Sequence, residues 1–91
     1  MRSLKGVFLM DTEKVFIERL RGLRSMKGVS QQKAADALGI TKTSYQNYEY
    51  GRKMPSFSTL PRLADFFDVS TDYLLGRTDV PQVVRSAQWR G

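Results

Sequence analysis

The chain contains no cysteine and no histidine. Without cysteine, it can form neither a disulfide framework nor a thiolate metal site. Without imidazole as well, the most common general bases, nucleophiles and zinc ligands are missing, and carboxylates, lysines and tyrosines are the groups left for chemistry. We therefore expect no enzyme activity, no metal and no cofactor, and we expect a cytoplasmic protein.

Long hydrophobic runs are also missing. The first ten residues, MRSLKGVFLM, have two basic residues followed by a short apolar run. A secretory signal needs an apolar stretch of about 7–15 residues and a membrane span needs about 20. The segment predicts neither, and we expect no membrane partner. Three interpretations stay open: an upstream start before Met10, a loosely ordered tail, or a basic arm that touches DNA.

Positive charge is present in excess. The 91 residues carry 15 lysines and arginines against 9 aspartates and glutamates, a net charge of +6. A chain of this length forms one domain with a small core. Its field favours a polyanion or an anionic membrane, and nucleic acid is the more common of these partners.

Helical spacing of apolar residues predicts five short helices. The predicted N-caps are Thr12, Ser30, Thr41 and Ser70, and the predicted ends are Gly28, Gly39, Gly51 and Gly76. Pro61 is tolerated only near a helix start, so the first turn of helix four should lie near Ser58 or Thr59. We predict an N-terminal extension over residues 1–12, a folded domain over residues 13–76 and a C-terminal tail over residues 77–91.

The stretch GITKTSYQNYEYG in helix three has three tyrosines, two amides and several hydroxyls. The spacing of Tyr45 and Tyr48 predicts that both face the core. Five other side chains then lie outward: Lys42, Thr43, Gln46, Asn47 and Tyr50. This outward surface is nearly free of carboxylates, and the position of Glu49 suits an inward or lateral ion pair. The pattern favours a partner other than water.

Five stretches resemble, in order and spacing, the Cro and lambda-repressor-like helix-turn-helix proteins of phages and bacteria, also called the XRE family. They are ERLRGLR, VSQQKAADALGI, YQNYEYGRKMPS, LPRLADFFDVS and DYLLG, and the resemblance covers about residues 13 to 76. It implies an all-α, five-helix domain whose third helix, residues 42–50, enters the major groove of double-stranded DNA. It also implies a transcriptional regulator, with repression as the expected mode, that binds a near-palindromic operator as a homodimer. No small-molecule ligand is expected.

The resemblance also implies roles for individual residues. The implied base contacts are Lys42, Thr43 and Asn47, together with Gln46, which could instead make a flanking phosphate contact. The implied phosphate contacts are Gln31, Ser44, Tyr50, Arg52 and Lys53. Arg24 and Glu49 are the implied ion pair between helices one and three. The plain alternative is a solvated polar face, with Arg52 and Lys53 suiting the dipole at a helix end.

The chain departs from the family pattern at a few positions. Tyr45 and Tyr48 replace aliphatic residues, Lys33 stands where a capping glutamate is common, and Pro61 enters helix four. None of these lies on the groove face, so they bear on packing more than on function.

Two other classes of function compete with DNA regulation. One is a protein-interaction module, such as an antitoxin or a regulator-sequestering protein, with an adhesive tail formed by Val80, Val83, Val84 and Trp89. The other is an RNA or membrane-surface binder, which is disfavoured because the aromatic residues fall at core spacing. For assembly, we expect a dimer through helix five and the tail rather than through the N-terminal segment. The alternative is a monomer that dimerises only on DNA.

Overall fold

The computed structural model describes the backbone of residues 7–81 and the side chains of residues 11–81. Within this part there are five helices and no strand: α1 Val7–Lys27, α2 Gln31–Leu38, α3 Lys42–Glu49, α4 Thr59–Phe67 and α5 Thr71–Leu74. The predicted all-α, five-helix architecture is confirmed. In the described range no helix has the length and apolarity needed to cross a membrane. Val83, Val84 and Trp89 lie outside the described residues.

The predicted start of α1 is wrong. The helix begins at Val7, so Thr12 lies inside it rather than at its N-cap. An N-cap residue marks the start of a helix only where the chain before it is not helical. The residues just before Thr12 include the good helix formers Leu9 and Met10 and no glycine or proline, so the helix continues through Thr12. The boundary that we placed after residue 12 therefore passes through a continuous helix.

The other predicted N-caps are confirmed by their hydrogen bonds. Ser30 Oγ accepts from the Lys33 backbone N–H at 3.0 Å. Thr41 Oγ1 and Ser70 Oγ accept in the same way from the third residue beyond each, also at 3.0 Å. Each such cap stabilises its helix by about 1 kcal/mol. Helix α4 begins at Thr59, as Pro61 predicted, although Ser58 makes no side-chain cap there.

The core forms where all five helices meet. Phe16 and Leu20 of α1, Tyr45 of α3, Leu63 of α4 and Leu74 of α5 are all buried. The prediction that Tyr45 and Tyr48 face inward is confirmed, since 0% and 8% of their surfaces are exposed. Their rings meet edge to face with centroids 6.3 Å apart. Tyrosines therefore fill, by aromatic packing, the space that aliphatic residues would otherwise occupy.

The chain beyond Gly76 packs back onto the domain as far as Pro81. Arg19 Nη1 donates to the carbonyl oxygens of Tyr73 at 2.6 Å and Thr78 at 2.7 Å. Arg19 Nη2 pairs with Asp79 Oδ1 at 2.9 Å. The Ser70 N–H donates to the Pro81 carbonyl at 3.0 Å. The segment that we placed in a tail thus begins with residues hydrogen-bonded to α1 and to the start of α5.

Candidate nucleic-acid interface

A tight turn sets the direction of α3. Gly39 takes the left-handed conformation, with φ of 71° and ψ of 30°. The Ile40 N–H then donates to the Ala35 carbonyl at 3.0 Å, which closes the end of α2. Ala34 and Ala35 are fully buried, and their small side chains allow the two helices to approach closely. The polar side of α3 is thereby held at the protein surface.

The structure places the predicted contact residues of α3 on its outer side. Lys42 and Thr43 are exposed, and Ser44, Gln46 and Asn47 are half-buried. Tyr50, directly after the helix, is 47% exposed. The hydroxyl of Ser44 accepts from the Thr41 hydroxyl at 2.9 Å, so it is tied to the N-cap. No carboxylate lies on the outer side of α3, since the only acidic residue of that helix is buried.

That acidic residue, Glu49, forms a two-point ion pair with Arg24 of α1. Arg24 Nε lies 2.6 Å from Glu49 Oε2, and Arg24 Nη2 lies 3.1 Å from Oε1. The Glu49 side chain is 1% exposed and the Arg24 side chain 24%. Arg24 also donates from Nη1 to the Val29 carbonyl at 3.0 Å. The guanidinium therefore connects α1, the loop that leads into α2, and α3.

The surroundings of Glu49 favour its charged form. Burial has the largest effect and by itself would raise the pKa of the carboxyl. Hydrogen bonds from Arg24 and Gln31, with the nearby Tyr45 hydroxyl, outweigh burial and hold the Glu49 pKa below its ordinary value of 4.5. The Tyr45 hydroxyl is buried and makes no hydrogen bond of good geometry among the described residues. Burial is the main cause that raises the pKa of Tyr45.

Gln31, at the start of α2, connects this ion pair to the surface of α3. Its Nε2 donates to Glu49 Oε1 at 3.1 Å and, over a longer distance of 3.4 Å, to the Tyr50 hydroxyl. Its Oε1 accepts from Gln46 Nε2 at 2.9 Å. The side chains that we predicted to touch phosphate and base are thus bonded to each other.

The end of α3 folds back onto Asn47. Gly51 has φ of +75°, and its N–H donates to the Tyr48 carbonyl at 3.3 Å. The Arg52 N–H donates to the Asn47 carbonyl at 2.9 Å. These two bonds form a Schellman motif, which ends a helix and fixes the residues that follow it. Arg52 and Lys53 are consequently held beside the last turn of α3, and both are exposed.

Sequence reasoning missed two of these interactions. It assigned Gln31 to a phosphate without its bonds to Glu49 and Gln46, and it did not single out Arg19. The sequence shows that both Gln31 and Gln46 carry amide side chains that could bond to each other. It does not show that the crossing of α2 and α3 brings the two amides together. The predicted contacts of these side chains with bases or phosphates stay predictions.

The five helices and the turn between α2 and α3 define a helix-turn-helix domain of the lambda-repressor type. Residues 17–80 match a family model described as "Helix-turn-helix domain", and the chain belongs to this family.

Its relatives include the SPbeta prophage-derived uncharacterized HTH-type transcriptional regulator YonR of Bacillus subtilis, which is 48% identical over 64 residues, 70% of this chain and 59% of that protein. The HTH-type transcriptional regulator AnsR of the same organism is 44% identical over 77 residues, 80% of this chain and 66% of AnsR. The chain thus spans about three fifths to two thirds of the length of these relatives.

The fold also matches a solved structure, the P22 c2 repressor protein in complex with synthetic operator 9T. The TM-score is 0.64 at 25% identity, and the match covers 66% of this chain and 91% of the repressor chain. The resemblance that the five sequence stretches indicated is confirmed.

Proposed function

We propose that this protein is a sequence-specific transcriptional regulator that binds double-stranded DNA, with repression as its mode of action. The observation that carries the proposal is the outer side of α3, which presents lysine, hydroxyl and amide groups and no carboxylate. Such groups match the donor and acceptor pattern of base edges in the major groove. The related proteins named as HTH-type transcriptional regulators, and the repressor solved on its operator, support the same conclusion.

The residues divide into two groups by their position. We assign base reading to Lys42 and Thr43 at the start of α3 and to Asn47 one turn later, with Gln46 at the edge of this set. Lysine donates to guanine O6 or N7, asparagine pairs with adenine N6 and N7, and the threonine methyl contacts the thymine methyl. Gln31, Ser44, Tyr50, Arg52 and Lys53 surround the set and are placed to meet phosphates, which position the domain without reading sequence.

The proposed active form is a homodimer on a near-palindromic operator, because one such domain contacts only one half-site. The two-fold symmetry of such a dimer matches an operator with two related half-sites. Their centres should lie about 34–36 Å apart, which is one turn of DNA. In the described part, Leu74 of α5 is fully buried and so cannot take part in this contact. Val80 is 57% exposed and is the better-placed candidate. Sedimentation of the full chain, of a chain ending at Pro81 and of a Val80→Ser variant distinguishes a dimer that uses the tail or Val80 from a monomer that pairs only on DNA.

The protein is proposed to work in the bacterial cytoplasm, where its DNA target lies, and a protein-interaction module is not favoured. Selection of bound duplexes from a random DNA pool tests the function. The expected result is a consensus with two related half-sites. Binding of all duplexes with equal affinity would contradict the proposal.

A further inference from the structure

The side chain of Arg52 makes specific contacts beside Asn47 that a simple phosphate contact does not require. Arg52 Nη1 donates to Asn47 Oδ1 at 3.2 Å. The same guanidinium lies over the ring of Tyr50, with its carbon 5.0 Å from the ring centroid. The Tyr50 hydroxyl in turn accepts from Gln31 Nε2. Arg52 is therefore held on two sides, by an amide oxygen and by an aromatic face.

Two bonds in the backbone bring Arg52 to this position. Its N–H donates to the carbonyl of Asn47, and the N–H of Lys53 reaches the same carbonyl at 3.3 Å. Asn47 thus accepts hydrogen bonds from the same short segment through both its backbone oxygen and its side-chain oxygen. The contact between the two side chains follows from the way the helix ends.

This contact fixes which way the amide of Asn47 is turned. A guanidinium group has only donors, so the atom of Asn47 that faces Arg52 must be the oxygen and not the nitrogen. The amide NH2 group then makes no hydrogen bond among residues 11–81 and is left to donate to a partner. Without Arg52, the amide can turn over and present either a donor or an acceptor.

We propose that Arg52 is a positioning residue for sequence reading: it sets the amide of Asn47 so that the NH2 group faces a base edge carrying an acceptor. Such edges belong to adenine, guanine and thymine, whereas cytosine presents the N4 donor in the major groove. The orientation therefore discriminates against cytosine at the position that Asn47 reads. The other N–H groups of the Arg52 guanidinium make no hydrogen bond among residues 11–81 and can meet a phosphate, so the two roles are compatible. This inference rests on the proposed function.

The test measures the affinities of the full-length protein for duplexes that differ from the selected site by one base pair at a time. The position read by Asn47 is the one whose preference is lost in Asn47→Ala. At that position, Arg52→Ala should lower discrimination against cytosine about tenfold, and other positions should keep their preferences. The double variant should discriminate no less than Asn47→Ala alone. Lys53→Ala is the matched control, because it removes a neighbouring charge that has no side-chain contact with Asn47, and it should weaken all duplexes alike.

Three results would overturn the inference, and each has a different meaning. If Arg52→Ala weakens every duplex equally, Arg52 contacts only phosphate. If the double variant loses further discrimination at the same position, Arg52 reads the base itself. If the wild-type protein prefers no sequence, the proposed function fails together with the inference. Arg52 is exposed, so the unfolding free energy of Arg52→Ala should stay close to that of the wild type, and urea unfolding checks this.

Discussion

Gly51 packs directly against the side chain of Ile17. A Cβ at Gly51 would lie 2.8 Å from Ile17 Cδ1, closer than real contacts allow, and its φ of +75° is in the left-handed region. Gly51 therefore joins the Schellman turn of α3 to the middle of α1. The glycine that ends the candidate reading helix therefore also lies against a side chain of α1.

Gly51→Ala should lower the free energy of unfolding by a little more than the roughly 1–2 kcal/mol that a left-handed residue with a Cβ costs, because the new methyl group also has to push aside the Cδ1 end of the flexible Ile17 side chain. Gly28→Ala is the matched control, since Gly28 has φ of +73° and open space around it. It should cost only the conformational part. Ile17→Val removes the overlapping Cδ1 and should restore part of the loss in Gly51→Ala. Equal costs for Gly51→Ala and Gly28→Ala in urea unfolding would show that the contact with Ile17 is unimportant.

Glu49→Gln should lower the free energy of unfolding at pH 7 by about 2–4 kcal/mol. Breaking a buried pair costs about 3–5 kcal/mol, and the loss here is smaller because Arg24 stays partly in solvent. The Glu49 pKa is lowered in the folded state, so its contribution is complete above the ordinary pKa of 4.5 and is lost as the pH falls through the folded-state value. The difference between wild type and variant should therefore shrink below pH 4.5. A difference that stays constant down to pH 2 would contradict this account of Glu49.

Arg19→Ala should loosen the segment that ends at Pro81. The variant loses two hydrogen bonds from a charged donor to backbone carbonyls, so unfolding should become easier by about 1–3 kcal/mol. The amide hydrogen of Ser70, which bonds to Pro81, should also exchange faster. Arg21→Ala, at an exposed position of the same helix, serves as control and should change neither quantity. Unchanged exchange at Ser70 in Arg19→Ala would mean that the segment is held without Arg19.

Lys53→Ala should weaken binding to all DNA sequences similarly and reduce the slope of log affinity against log salt by about one unit, because one phosphate contact is lost. Lys53→Arg keeps the charge and should keep the slope. Titrations at several salt concentrations measure both variants. If the slope of Lys53→Ala matches that of the wild type, the residue does not meet a phosphate.

The features that the sequence could predict are those set by neighbours along the chain. Ser30, Thr41 and Ser70 each cap a helix through a bond to the third residue beyond, and the periodicity of Tyr45 and Tyr48 placed both in the core. Local signals failed for the start of α1, because a threonine that can cap a helix is also tolerated inside one.

The contacts that the sequence could not predict join residues far apart in the chain. The bonds of Arg19 to Thr78 and of Gln31 to Gln46, and the close approach of Gly51 to Ile17, depend on how the helices cross. No pattern within one helix encodes these distances. For the candidate site, sequence spacing showed which residues lie outward on α3, whereas the bonds that orient their amides became visible only in three dimensions.

The central claim is that the outer side of α3 reads DNA sequence, and selection from a random duplex pool with variants of that side tests it most directly. Lys42→Ala or Asn47→Ala should each lose about 1–3 kcal/mol of discrimination at one base position of the wild-type consensus, with nonspecific binding nearly intact. Gln32→Ala, on the exposed side of α2, should leave the consensus unchanged. If both α3 variants select the wild-type consensus with full discrimination, the claim is wrong.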